Sequence, residues 1–324
     1  GESPSQIRKT TFDVLSNPEF LAEGTAINDL EKPDRVLIGG ENKEAIESLV
    51  DIYKKWVPEE KILQTNIWSS ELAKLTANAF LAQRISSINS IAALCEATGA
   101  DVREVSRAIG TDTRIGSKFL DSGPGFGGSC FKKDILNLVY LSEFFGLPEV
   151  ASFWKSVNDL NIWHKHRIAE LITKKMFGTL SNKKIVVLGF AFKSNTNDTR
   201  ESAAIQICKD LLDEGAFLHI HDPKVETKQI EIDLNLSPEP PNKNSIGNKE
   251  GKWMSLSNLE EEIFSDADAI LVLTEWKVYG DIDWTKVSKK MRKPAWLFDL
   301  RSIIDPIKIE KTNLNYWRIG DGLI

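Results

Sequence analysis

The sequence predicts a mixed α/β fold with an all-helical middle, on three observations. Short apolar runs of strand length, closed by glycine, aspartate or a turn, occupy both ends of the 324-residue chain. Between them Leu72, Leu75, Ala79, Ala82, Ile85, Ile88 and Ala92 recur at the steps of a helix face. Toward the C-terminus strands alternate with helical stretches, the pattern of a doubly wound parallel sheet.

Taken in order, residues 12–15 (FDVL) and 35–38 (RVLI) read as buried strands, the second closed by Gly39-Gly40. Residues 45–56 have helical spacing, and residues 61–63 form a third short strand candidate. The long helix runs over residues 68–98, with Gly99 as its C-cap; at that length it bridges domains or forms a subunit interface. A short helix follows at 101–109, then a glycine-rich loop. Next comes a helix through Asp134 to Phe145, ended by Gly146 and Pro148, and another from about Val150 to Met176. Strands are expected at 184–189, 217–221, 269–273 and 296–299, with a helix at 203–214. Residues 235–252, rich in Pro, Asn, Lys, Ser and Gly, read as an exposed mobile insertion. The expected domains are 1–65, 66–180 and 181–324.

A net charge of −6 gives no support to nucleic-acid binding. The three cysteines, Cys95, Cys130 and Cys208, are odd in number and widely spaced, which argues against a disulfide framework or a zinc ribbon and for a reducing, cytoplasmic setting. No apolar run is long enough to span a membrane, so no membrane partner is expected. The first residue is Gly1 rather than Met, which suggests a fragment or a processed product.

Cys130 stands in the run Gly125-Phe126-Gly127-Gly128-Ser129-Cys130-Phe131-Lys132-Lys133-Asp134. Glycines let the backbone approach a ligand, and a helix beginning near Ser129 would put the thiol in its first turn, where exposed N–H groups favour a thiolate. Asp134 at i+4 would share that face. The layout is that of a nucleophilic cysteine with an acid–base neighbour; the alternative is an inert packing cysteine.

Other groups carry weaker signals. Glu19 and Glu23, four residues apart after a strand, read either as a general base in a cleft or as acids at a helix start. Lys74 and Asn78 are i, i+4 on the long helix, among small and apolar neighbours, and face a cleft or belong to a solvated stripe. The turn Gly189-Phe190-Ala191-Phe192-Lys193 follows a strand but lacks the later glycines of G-x-G-x-x-G. Asp222 ends the next strand, where a ribose-binding acid would sit. Lys193, Arg200 and Arg301 fall at or beyond strand ends, the ligand-binding edge of such sheets, or are ordinary solvated charge. His219 and His221 face one side of a strand without a third ligand nearby, and no metal is expected.

Together, residues 16–25 (SNPEFLAEGT), 68–90 (WSSELAKLTANAFLAQRISSINS), 114–134 (RIGSKFLDSGPGFGGSCFKKD), 189–201 (GFAFKSNTNDTRE) and 298–301 (FDLR) resemble the UDP-glucose/GDP-mannose dehydrogenase family over nearly the whole chain. The run from Trp68 is most like members acting on UDP-glucose. The resemblance implies a remnant of an N-terminal Rossmann NAD-binding domain, a central helical dimerisation domain and a C-terminal Rossmann-like UDP-binding domain. It further implies oxidation of the sugar C6 alcohol to a carboxylate with two NAD⁺, through a thiohemiacetal and a thioester on Cys130. In that scheme Lys74, Asn78 and Asp134 orient water and stabilise an oxyanion, and Glu19 serves acid–base steps. Phe20, Leu21, Ala22, Glu23, Phe126 and Gly127 line the sugar and nicotinamide pocket. Phe192, Lys193 and Arg301 hold the UDP or glucose part. Arg114 reaches a neighbouring subunit's substrate, implying a dimer-based homo-oligomer, and Glu23 and Arg200 touch NAD.

Two departures from the family pattern stand out. Asp299-Leu300-Arg301 replaces a D-G-R, and the G-x-G-x-x-G with its surrounding strands does not occur. The expectation is a fragment that keeps the nucleophile and sugar-nucleotide site but does not turn over NAD by itself. GDP-mannose or a UDP-N-acetylhexosamine as substrate, or a non-catalytic sugar-nucleotide-binding protein, are the alternatives.

Overall fold

The computed structural model describes residues 12–239, 251–256 and 258–322. By its internal packing the chain divides into two units, Gly1–Ala77 and Asn78–Ile324, and the division falls inside the long helix.

In the first unit, α1 (Ala26–Glu31) buries none of its residues. β1 (Val36–Gly39) pairs in parallel with β2 (Ile62–Thr65), from Val36 opposite Ile62 to Gly39 opposite Thr65. Between them runs α2 (Lys43–Tyr53), whose N-cap Asn42 accepts from the amides of Glu44 and Ala45. Ile46 and Val50 of α2 close on Val36, Ile38, Val57 and Ile62 to make this unit's core. Residues 12–15 are not the expected strand. Phe12 and Val14 are 86% and 74% exposed, and pairing is limited to one antiparallel bridge, Ser16 to Gly39. An apolar run needs a surface to cover, and among these residues only Leu15 packs on the core.

α3 (Ile67–Thr98) is the long helix, and Gly99 leaves it at φ +77. α4 (Val102–Gly110) is capped by Asp101. α5 (Phe131–Phe144) ends at Gly146, φ +73, and α6 (Pro148–Lys175) starts at Pro148, so the proline opens a helix rather than closing one.

The second unit also holds a six-stranded parallel sheet in the order β5-β4-β3-β6-β7-β8. Its strands are β3 (Lys184–Leu188), β4 (Phe217–His221), β5 (Lys252–Leu256), β6 (Ala269–Val272), β7 (Ala295–Asp299) and β8 (Leu314–Arg318). Both faces are covered. Ile185 and Val187 of β3 pack with α7 (Ala203–Asp213) and α8 (Thr227–Leu234), while Val186 and Leu188 pack toward α9 (Lys277–Gly280), α10 (Trp284–Lys290) and α11 (Pro306–Glu310). The strand order reverses between β3 and β6, which puts the ligand edge of the sheet at their C-terminal ends.

β5 and β8 were not expected. Both are edge strands with mixed burial, so neither reads as a continuous apolar run. Of the expected insertion, 240–250 lies outside the described residues. Its flanks are tied down: Trp253 donates its indole N–H to the Leu236 carbonyl, Glu239 N–H bonds the Trp253 carbonyl, and Lys252 opens β5.

Candidate active site

Cys130 is half-buried and stands one residue before α5, as its N-cap rather than in its first turn. Its carbonyl accepts from Asp134 N–H at 2.9 Å, and its Sγ lies 3.5 Å from the Ser129 hydroxyl. The other cysteines are different: Cys95 and Cys208 are buried at 3% and 0% exposure, and burial pushes both thiols above their ordinary range. Asp134, 3% exposed, points its carboxylate at Asn78 of α3, whose amide donates to Oδ2 at 2.6 Å. Asn78 and Asp134, which the resemblance groups with Lys74, are thus hydrogen-bonded to each other, one helical turn from the thiol.

The loop before Cys130 is hung on side chains of α3 and α6. Asn89 Oδ1 accepts from Gly123 N–H at 2.9 Å, and His164 Nε2 bonds the Gly123 carbonyl at 2.9 Å. The Asn161 amide brackets Phe126, accepting its N–H at 2.9 Å and donating to its carbonyl at 3.1 Å. Gly127 is required by close approach, since a Cβ there would fall 2.6 Å from the Glu201 carbonyl oxygen. Burial lowers the pKa of His164 to about 4, so at neutral pH it is a neutral donor to Gly123. Asn89, Asn161 and Lys165 escaped the sequence reading, which found in His164 only a helical histidine without a clear role. The available signal was that Asn161, His164 and Lys165 lie in register with buried Ile168 and Ile172 on one face of α6.

At the sheet edge, Arg301 follows β7. Its Nε donates to the Leu273 carbonyl at 2.8 Å and its Nη2 to the Phe192 carbonyl at 3.1 Å, with Glu275 3.2 Å away. It therefore joins the loops after β3 and β6 at the switch point. Phe192 backs onto Gly128, where a Cβ would meet its ring at 3.1 Å. Leu300 causes no backbone distortion: it is fully buried in the sheet core, and the left-handed residue of this turn is Ser302, φ +53. The Asp299 carboxylate organises the turn by accepting from the amides of Arg301 and Ile304.

Asp222 is not placed as a ribose acid. Its Oδ2 accepts from the amides of Phe190 and Ala191 and from the Trp276 indole, and its Oδ1 from Lys224 and Val225. The N–H groups that would cradle a pyrophosphate after β3 already hold a carboxylate, so this turn does not fit a dinucleotide. His219 stacks edge-on against Phe217, and His221 bonds the Tyr279 hydroxyl at 3.0 Å. Among the described residues no group of three His, Cys, Asp or Glu could hold a metal ion. Among the described residues no helix is long and apolar enough to cross a membrane.

In the first unit, residues 17–22 form no helix, so Glu19 and Glu23 share no helix face. Glu19 accepts from Leu21 N–H at 2.8 Å, while Lys74 donates to the Glu19 carbonyl and lies 3.4 Å from its carboxylate. Phe20 stacks under Arg35 at 3.8 Å, with Lys74 at 5.4 Å from its ring. Ala22 N–H bonds Asp29, and Glu23 is half-buried in the turn that follows.

Arg114 and Arg200 face outward on local carboxylates, Asp112 and Asp198, each at 2.6 Å. The Lys193 ammonium lies 5.5 Å from the Phe192 ring. A groove of about 510 Å³ between α6 and α7, lined by His166, Glu170, Lys174 and Asp210, takes in none of these residues. Its walls are solvated charge and the His166–Asp210 pair.

Comparison with known proteins places the chain among its relatives. The NAD binding, central and UDP binding domains of the UDP-glucose/GDP-mannose dehydrogenase family match residues 2–57, 68–163 and 186–306. UDP-glucose 6-dehydrogenase of Gallus gallus is 56% identical over 303 residues, covering 92% of this chain and 60% of that protein. The Drosophila melanogaster protein of the same name is 52% identical over 313 residues, 95% of this chain and 65% of its own. A UDP-glucose dehydrogenase structure from Pyrobaculum islandicum superposes with a TM-score of 0.78 at 29% identity, covering 97% of this chain and 64% of that one. The chain thus spans about three fifths of the length of the Gallus gallus relative. It belongs to the UDP-glucose/GDP-mannose dehydrogenase family.

Proposed function

We propose that the complete encoded protein oxidises UDP-glucose to UDP-glucuronate, with Cys130 as the acyl-carrying nucleophile. The observation that supports this most is the half-buried thiol at the head of α5, beside an Asn78–Asp134 pair and on a loop whose backbone is held from α3 and α6. NAD⁺, bound twice, would accept the two hydrides from C6. The chain's own residues do the rest. The Cys130 sulfur adds to the C6 aldehyde, giving a thiohemiacetal. Loss of hydride from that carbon and of its hydroxyl proton leaves a thioester, and water cleaves it to the carboxylate and the free thiol. Asp134, fixed by Asn78, orients that water and takes its proton. The resemblance gives Lys74 the developing oxyanion and Glu19 the acid–base steps. Phe20, Leu21, Ala22, Glu23, Phe126 and Gly127 are proposed to line the sugar and nicotinamide pocket. Phe192, Lys193 and Arg301 are assigned to the nucleotide sugar, and Glu23 and Arg200 to NAD.

The proposed domains are 1–65, 66–180 and 181–324. A dimer-based homo-oligomer is supported by the apolar residues Leu136, Tyr140, Phe144 and Phe145, which α5 and the residue after it leave exposed. Arg114, 87% exposed and held by Asp112, would then face a neighbour's substrate.

The test is NADH formation from UDP-glucose and NAD⁺ by the complete protein and its Cys130→Ser variant. Release of UDP-glucuronate should fall on the order of a thousandfold or more in the variant. Acid formation at the normal rate would remove Cys130 from the chemistry. Preference for GDP-mannose or a UDP-N-acetylhexosamine would move the substrate within the family.

A further inference from the structure

Lys165 has no part in the scheme above, yet it touches both segments that position the thiol. Its methylene stem passes beneath Gly125, where a Cβ would lie 3.4 Å from Lys165 Cγ and Cε. Its ammonium donates to the Glu201 carbonyl at 3.1 Å. That same carbonyl oxygen is the atom on which Gly127 rests, 2.6 Å from where a Cβ would be. Gly128 N–H bonds the neighbouring Arg200 carbonyl at 2.8 Å. Glu201 also grips α5, since Lys132, two residues after Cys130, lies 2.9 Å from both of its carboxylate oxygens. Glu201 holds this position at φ +55, a left-handed conformation that a glutamate rarely adopts.

We propose that Lys165 is a positioning residue for the Cys130 thiol: its ammonium fixes the Glu201 carbonyl and so registers both the glycine loop and the head of α5. The proposal rests on the reading of Cys130 as the nucleophile. Lys165 is only 7% exposed, and the carboxylate that could neutralise it is already bound on both oxygens by Lys132. Burial pulls its pKa down to about 8, against the attraction of Glu201 and with the repulsion of Lys132. An ammonium held in such a place costs stability, and an apolar side chain of similar length would avoid that cost. What the charge provides is a donor that reaches the left-handed carbonyl from below the loop.

The experiment compares wild type, Lys165→Met and Lys165→Arg in the complete encoded protein. It reads the rate of Cys130 alkylation by iodoacetamide, kcat and KM for UDP-glucose, and the melting temperature. The buried Cys95 and Cys208 serve as internal references for intact folding. Lys165→Met should alter the Cys130 alkylation rate by about fivefold or more and lower kcat by about tenfold or more, with KM within about threefold and no fall in melting temperature. Lys165→Arg, which keeps a long cationic donor, should return both rates to within about threefold of wild type. Wild-type alkylation and kcat in Lys165→Met would overturn the proposal. So would losses in both variants that simply track a falling melting temperature. If wild type itself forms no NADH from UDP-glucose, the functional reading fails instead, and the alkylation rates still decide the role of Lys165.

Discussion

The two loops that carry the proposed chemistry are held by opposite means. The thiol loop, residues 123–128, is tied to Asn89, Asn161 and His164 by buried bonds between groups 34 to 41 residues apart in sequence. The acid loop, residues 16–25, is anchored at its base, where Ser16 pairs with Gly39, Asn17 bonds the Leu37 carbonyl and Lys74 the Glu19 carbonyl, but its tip is tied locally: Leu21 N–H bonds Glu19, and Ala22 N–H and the Thr25 hydroxyl bond Asp29, all exposed and within seven residues. Water can replace the second kind of bond at little cost but has no access to the first. The nucleophile is therefore preset by packing, whereas the tip of the acid loop keeps the freedom to rearrange around a ligand.

The sharpest way to break this contrast is Asn161→Ala. It strands the Phe126 N–H and carbonyl in a buried site, and the expected loss in unfolding free energy is about 3 kcal/mol by urea denaturation. A loss under about 1 kcal/mol would mean that the thiol loop is held no more firmly than the acid loop.

A second measurement uses Lys165 and pH. Its pKa in the fold, about 8, lies below the unfolded value of 10.5. The proton is therefore bound more tightly in the unfolded chain, so the penalty is full below pH 8 and fades as pH rises toward 10.5. Relative to Lys165→Met, wild type should gain about 1 kcal/mol per pH unit between pH 8 and 10. A flat difference would show that the buried ammonium carries no such penalty.

The smallest effect is expected in the acid loop. Asp29→Ala removes the exposed bonds to Ala22 and Thr25 and should cost about 0.5 kcal/mol. A cost equal to that of Asn161→Ala would erase the distinction between the loops.

Much of this was legible in one dimension. The helix through Lys74 and Asn78, the strands at β3, β4, β6 and β7, and Cys130 beside its glycines all carry local signals of period or composition. Asp222 shows where such reading stops. Its strand-end position was foreseen, but its carboxylate is consumed by the amides of Phe190 and Ala191, a pairing fixed by the neighbouring strand rather than by sequence distance. Residues 12–15 failed for the opposite reason: an apolar run was present, but Phe12 and Val14 stay exposed and only Leu15 of the run packs on the core. β5 and β8 were missed because an edge strand buries too few residues to leave a continuous pattern.

By itself the sequence determined which residue types stand together along the chain: the thiol after its glycines, the lysine and asparagine one turn apart, the arginine beyond a strand. These follow from helical period, turn chemistry and short spacing, which are local properties. Only the tertiary structure decided what holds them. Asn161 and Lys165 reach a loop more than 30 residues earlier in sequence, and Glu201 takes a left-handed backbone beneath Gly127. Such contacts depend on which helix packs over which loop, and that is settled by burying the α6 face that carries Ile168 and Ile172 against the sheet.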